Sequence, residues 1–354
     1  MSVPVPDEAQ AVSAGQESEA TGAAAGSGQP AVAPRSALST SLLAQRYGLL
    51  VIFCLVIGVF SLLLPDSFPT LANARNITSS QSVLGIVSLA ALPPLVAGQF
   101  DMSLGAVLGL ASIAAASALS HFGAPVWLAA LVGLGCGAFV GLCNGLLIAK
   151  VGVNPLITTL GVATAITGVL SWYTDGIAIL TGIPDSLTDF GSGLWLGIPA
   201  PLYALAGVSF FVWYLLEHTP FGRHLHAIGV NPTAAHLVGL NVASHVVASF
   251  VLSGALVGLG GVLLVARQGA GNPLVGSYYL LPVLSAVFLG ATAIHPGRFN
   301  VPGTLVAVFF LATSVSGLAL FGVDNWVDSL FNGAALVIAV GLSTVLGRRG
   351  AGRG

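Results

Sequence analysis

Between Tyr47 and Leu346 the chain runs through ten apolar stretches, with scarcely a charge inside any of them. They are Tyr47–Leu64, Ser82–Ala97, Met102–Leu119, Ala124–Ala149, Pro155–Trp172, Leu194–Leu216, Val246–Ala266, Leu280–Ile294, Val301–Phe321 and Trp326–Leu346. A helix rising 1.5 Å per residue needs about 20 mostly apolar residues to cross roughly 30 Å of hydrocarbon. Lipid offers backbone amides no partner, so each run must pair its own N–H and C=O groups, as a helix does. Ser82–Ala97 and Leu280–Ile294 are short, and are punctuated by Pro93-Pro94 and by Pro282. Only 6% of the residues are charged against 55% hydrophobic, where a soluble domain carries roughly a quarter charged residues. The sequence predicts an all-α, polytopic integral membrane protein with about ten transmembrane helices.

The few cations set the orientation. With the N-terminus in the cytoplasm, Arg35, Arg46, Lys150, Arg223, Arg298, Arg348, Arg349 and Arg353 fall inside and only Arg75 and Arg267 outside. Basic residues favour cytoplasmic loops, so both termini are expected in the cytoplasm. Asp66, Asp175, Asp185, Asp189 and Asp324 then lie outside, with Asp328 near that edge. Three regions follow: a disordered cytoplasmic tail over 1–46, a transmembrane domain over 47–346 and a short cytoplasmic tail over 347–354. The first tail is rich in Ala, Gly, Ser, Pro and Gln, a composition that buries too little apolar surface to offset its ordering entropy. It holds no apolar core of a signal peptide.

Absences narrow the chemistry. The single lysine, Lys150, is followed by Val151, so no phosphate-cradling G-x-x-x-x-G-K-[ST] exists, and H-E-x-x-H is missing too. Any ATP is bound by another chain. No catalytic cluster, cofactor site or metal set emerges, and nothing points to nucleic acid. Cys54, Cys136 and Cys143 lie in predicted spans and read as small packing residues. Carriers coupled to protons place carboxylates inside the bundle, whereas Asp101 is the one candidate here. An ion-coupled secondary transporter is the alternative reading, and a membrane enzyme acting on lipid is a third. Gly137, Gly141 and Gly145, and again Gly254 and Gly258, recur every fourth residue and mark close helix packing. A faint echo links the segments beginning Asn144-Gly145 and Asn332-Gly333.

Three segments stand out from the apolar background. Gly98-Gln99-Phe100-Asp101-Met102-Ser103-Leu104-Gly105 follows the Pro93-Pro94 break; Asp101 and Ser103 can cap the next helix, or the stretch can line a path. In the long loop Glu217–His245, Asn231 is a good N-cap, Pro232 suits the first helical position and Gly239 can stop a helix of about two turns. The same loop holds His218, His224, His226, His236 and His245, read as solvated side chains. The third segment, Gly290–Thr304, is a Gly/Pro-rich turn.

At these residues the chain resembles the membrane permeases of ribose/xylose/galactose-type ABC importers, over nearly all of Tyr47–Leu346. The family's G-G-x-D-L-S-V-G is matched at Gly98–Gly105, its N-P-F-I-x-T-L-G at Asn154-Pro155-Leu156-Ile157-Thr158-Thr159-Leu160-Gly161, and its T-x-F-G-R-x-x-x-A-I-G-x-N pattern at Thr219-Pro220-Phe221-Gly222-Arg223, Ala227-Ile228-Gly229 and Asn231. Departures are His236 for the usual Arg, Val238 for the usual Ser, and Tyr279-Leu280-Leu281-Pro282 for an acidic Y-E-L-D. The resemblance implies an importer permease of the bacterial plasma (inner) membrane, carrying a monosaccharide or similar small polar solute. It implies cytoplasmic ABC ATPase subunits, an extracytoplasmic solute-binding protein, a second permease chain and membrane lipid as partners. It assigns coupling to the ATPase to Arg223, Asn231, Pro232, Ala234, Ala235, His236, Leu237 and Gly239. Candidate transport-path residues are Gln99, Asp101, Ser103, Asn154 and Thr158.

Overall fold

The computed structural model describes residues 35–324 and 326–351. The described chain is almost wholly helical: α1 Arg35–Leu63, α2 Leu71–Val96, α3 Leu104–Ser120, α4 Val126–Leu146 running into a π-turn Leu147–Val151, α5 Pro155–Thr174, α6 Asp185–Ser192, a two-stranded ribbon β1 Leu194–Trp195 and β2 Ile198–Pro199, α7 Ala200–His218, α8 Pro220–Val230, α9 Pro232–Leu237, α10 Val242–Gln268, α11 Gly276–Gly290, α12 Val301–Leu320 and α13 Trp326–Ala351. Among the described residues seven segments are long and apolar enough to cross a membrane: Arg46–Leu63 of α1, α2, α4 with its π-turn, α5, α7, α10 and α12. Shorter apolar helices are α3, α11 and Trp326–Gly341 of α13. This is a helical, multi-pass membrane protein.

Burial sorts the helices into layers. Every residue of α2 from Ser82 to Val96 is buried, and α10 is buried nearly as fully over Ser253–Ala266. Helices α3, α4, α7, α11 and α12 pack around this pair. Large apolar side chains on the outer helices face outward, among them Leu55 and Leu62 of α1, Trp172 of α5 and Phe210 of α7. That distribution suits a lipid solvent, where an exposed Leu costs nothing.

Several boundaries differ from the sequence expectation. The span expected at Ser82–Ala97 begins at Leu71 and passes through Pro93-Pro94 without breaking. The two prolines withhold the N–H groups that would bond Leu89 and Ala90, but both residues are fully enclosed by neighbours, and packing holds the helix. It ends instead at Gly98, at φ +76°, where Gly98 N–H donates to Leu95 O and Gln99 N–H to Pro94 O. The span expected at Leu280–Ile294 is Gly276–Gly290. The span expected from Leu194 starts at Ala200, because Leu194–Pro199 folds as the ribbon, turning through Leu196 and Gly197 at positive φ. Arg75 donates to Gly197 O and the Tyr203 hydroxyl to Trp195 O, pinning it. Apolar residues alone do not distinguish such a ribbon from a helical turn.

At the chain ends, α1 starts at Arg35, inside the segment expected to be a tail, and α13 runs to Ala351. The rest of the expected tails, 1–34 and 352–354, lies outside the described residues.

Candidate functional site

The long loop contains two helices where one was expected. Thr219 opens α8, its hydroxyl accepting from Gly222 N–H, and Pro220 takes the first helical position. Leu225 and Ile228 are fully buried, so α8 lies down on the bundle instead of hanging from it. Asn231 then ends α8 and caps α9, its Oδ1 accepting from Ala234 N–H at 3.0 Å. Pro232 starts α9, and Gly239 reverses the chain behind it at φ +88°. Ala235 is 4% exposed and belongs to the core, while Leu237 and Val238 are 81% and 78% exposed. Asn231, Pro232, Ala234 and His236 are also exposed. The short helix therefore has one side turned to its own bundle and an apolar tip turned away, to which Val230 adds.

The three sequence segments meet at this end of the bundle. Gly229 of α8 sits so close to the Val96 carbonyl that a Cβ could not fit, and Gly98 faces Gly229 across the same junction. Phe100 stacks on Phe288, with centroids 6.1 Å apart, and Phe288 meets Phe299 edge-on at 5.6 Å. A cavity of about 620 Å³ opens between them, lined by Gly98, Phe100, Glu217, Arg223, His226, Arg298 and Phe299, among others. Asn300 organises the Gly/Pro turn. Its Oδ1 accepts from Gly303 N–H at 2.7 Å, capping α12, and its amide donates to Ala293 O and Arg298 O. Ile294 N–H donates to Arg46 O, tying the turn to α1.

Asp101 and Ser103 do not cap the first turn of α3 as expected. Ser103 makes no side-chain cap bond. Asp101 Oδ1 instead accepts from Ser103 N–H at 2.8 Å and from Ser103 Oγ at 2.6 Å. Asn144 of α4 donates to Ser103 Oγ at 2.9 Å, and Thr159 of α5 accepts from Met102 N–H at 3.0 Å. All four side chains are buried. Asn144 Oδ1 has no hydrogen-bond partner among the described residues. A buried polar group lacking a partner costs about 1–3 kcal/mol, so this knot is stabilising only while its remaining bonds hold.

Among the expected path residues, Asp101 and Ser103 join this knot and Gln99 lies half-buried beside it. Thr158 is buried and its hydroxyl bonds Asn154 O. Asn154 stands apart, exposed, capping α5 through Leu156 N–H. The structure adds Thr159 and Asn144 to these residues; the available signals are that Thr159 stands in the matched N-P-L-I-T-T-L-G stretch and that Asn144 is a polar residue within an apolar helix. Of the loop histidines, His218 and His236 are exposed as expected, whereas His224 and His245 are not. Ring nitrogens of His224 and His245 approach to 3.0 Å, both rings are half-buried, and Phe221 stacks on His245, so this pair packs α8 against α10. Among the described residues no group of three or more His, Cys, Asp or Glu could hold a metal ion.

A family model described as the permease component of branched-chain amino acid transport systems matches residues 73–340. The chain belongs to this family of membrane permeases. It is 32% identical over 298 residues to the ribose import permease protein RbsC of Haemophilus influenzae, covering 83% of this chain and 92% of that one. The Bacillus subtilis ribose import permease protein RbsC is 36% identical over 291 residues, covering 82% and 89%. The L-arabinose transport system permease protein AraH of Escherichia coli is 31% identical over 309 residues, covering 87% and 93%. No solved structure matches. The chain is thus the permease subunit of an ABC importer, a multi-pass protein of the bacterial inner membrane. It is a transport subunit, not an enzyme, and works with ATPase and binding-protein partners.

Proposed function

We propose that this permease carries a monosaccharide inward, crosses the membrane ten times with both termini in the cytoplasm, and couples to its ATPase through α9. The sugar reading is supported by the relatives named for ribose and L-arabinose. The topology is supported by the cluster of Arg and Lys on the α8–α9 side. Two such permease chains pair around the path, each facing its own ATPase subunit. The Gln99–Ser103 turn and Thr158 form the inner edge of that path, and Asn154 holds the start of α5.

The observation that carries the coupling role is the apolar tip of α9. Leu237 and Val238 are largely exposed at the polar end of the bundle, away from the lipid-facing belts. Exposed apolar clusters rimmed by polar residues mark protein contacts, and a six-residue helix needs a partner to be a stable surface. Ala235 anchors α9 from beneath, and Arg223 stands beside the cavity behind it, so closure of the ATPase pushes on α8 and, through Gly229, on the end of α2. The test is a pull-down of the ATPase with Leu237→Glu and Val238→Glu permeases. Loss of the ATPase and of uptake at normal membrane abundance is expected. Retention of both would place the coupling contact elsewhere.

A further inference from the structure

At the opposite end of the bundle from α9, five helices converge on a small polar pocket that the sequence did not disclose. Its cavity measures about 200 Å³ and includes Ser80 and Gln81 of α2, Arg267 of α10, Tyr279 of α11, and Asp328 and Asn332 of α13. Sites for drug-sized ligands run to roughly 300–1,000 Å³, so this one suits a solute of a single ring. The Arg267 side chain makes no hydrogen bond or ion pair with another described residue. Asn332 donates its amide to Asp328 Oδ1 at 3.0 Å and is itself buried. Pro282 also lines the pocket and lies inside α11. Having no N–H, it withholds the helical donor from the Tyr278 carbonyl. Interrupted helices of this kind are tolerated in membranes where they border a watery cavity.

We propose that this pocket is the solute-accepting site of the permease and that its ligand is a neutral monosaccharide. The inference rests on the importer reading above and adds the site. Both signs of charge are present, so the site does not select a net ion. The remaining polar side chains are neutral hydroxyls and amides, which suit alternating donor and acceptor hydroxyls on a sugar ring. Arg267 donates to ring hydroxyls, and Asp328, already oriented by Asn332, accepts from them. Lying at the end remote from α9, the pocket is on the side where a binding protein delivers its load.

The experiment uses the whole transporter, permease with ATPase and binding protein, in proteoliposomes. Radiolabelled ribose, arabinose and leucine are offered first to the unaltered transporter. Arg267→Gln and Asp328→Asn are then compared with Arg75→Gln, a cation at the same end but outside the pocket. Sugar uptake is expected, falling about ten-fold in the two pocket variants, as for loss of one hydrogen bond to a charged group. Arg75→Gln should transport normally, and ATPase stimulation by loaded binding protein should persist in all three. Tyr279→Phe, which deletes one hydroxyl and keeps the ring, should slow uptake several-fold at unchanged abundance; this guards against misfolding of the charge variants. Undiminished sugar uptake in Arg267→Gln, Asp328→Asn and Tyr279→Phe would overturn the site. Import of leucine and of neither sugar would overturn the monosaccharide reading and the ligand class proposed here, whatever the variants do.

Discussion

Gly137 of α4 and Gly254 of α10 lie back to back, each so close to the other's carbonyl oxygen that neither position has room for a Cβ. Gly258 repeats the arrangement one turn along, where an added Cβ would come within 2.6 Å of Gly133 O. In lipid there is little hydrophobic drive to join two helices, so backbone proximity and dispersion must supply the attraction. The two glycine rows, separated by more than a hundred residues, are the two halves of one interface.

Gly137→Val should therefore disrupt the bundle, while Gly135→Val should not, since Gly135 faces open space. Overpacking costs on the order of 1–3 kcal/mol even where side chains can shift, and a backbone carbonyl cannot shift easily. Thermal denaturation of the detergent-solubilised protein, followed by size-exclusion chromatography, should show a clear loss of stability for Gly137→Val only. Equal stability of the two variants would refute the contact.

The Asp101 knot separates bracing from transport. Ser103→Ala removes the acceptor of Asn144 Nδ2 and strands a second polar group on a residue whose Oδ1 already lacks a partner. A loss of about 1–3 kcal/mol is expected, seen as reduced membrane abundance. Asp101→Asn keeps an oxygen that can accept from both Ser103 N–H and Oγ, so abundance should hold while uptake falls. Normal uptake in Asp101→Asn would assign the carboxylate to bracing alone.

The two sides of α9 should respond differently to the same charge. Ala235→Glu drives a carboxylate into the core, and an uncompensated buried charge costs several kcal/mol, so this variant should lose abundance. Leu237→Glu places the charge on the exposed tip and should leave abundance normal. Quantitative immunoblotting of membranes distinguishes them, and equal abundance would contradict the orientation of α9.

The topology can be read with single cysteines at Ser186 on α6 and Thr233 on α9, in a background lacking Cys54, Cys136 and Cys143. Both positions are exposed. In intact cells an impermeant thiol reagent should label the cysteine at Ser186 and spare the one at Thr233. The opposite pattern would invert the proposed orientation.

The sequence by itself determined the solvent of this protein, its helical class and the start of α9 at Asn231-Pro232. Apolar run length, scarcity of charge and the Asn231 cap are properties of neighbouring residues, and those are written along the chain; the caps at Thr219 and Asn300 emerge only in the structure. Its boundaries slipped where packing overrode local preference, as when α2 continued through Pro93-Pro94, or where an apolar stretch turned back as the Leu194–Pro199 ribbon. Motif matches singled out Gly98–Gly105 and the α9 region. Only the tertiary structure decided that Gly98 meets Gly229, that Ala235 faces inward while Leu237 faces out, and that Arg267, Tyr279 and Asp328 share a pocket. Spacing along a chain records which residues share a helix face, but it carries no distance between helices. Those distances come from how ridges and glycine gaps of separate helices fit together, a property of the assembled bundle.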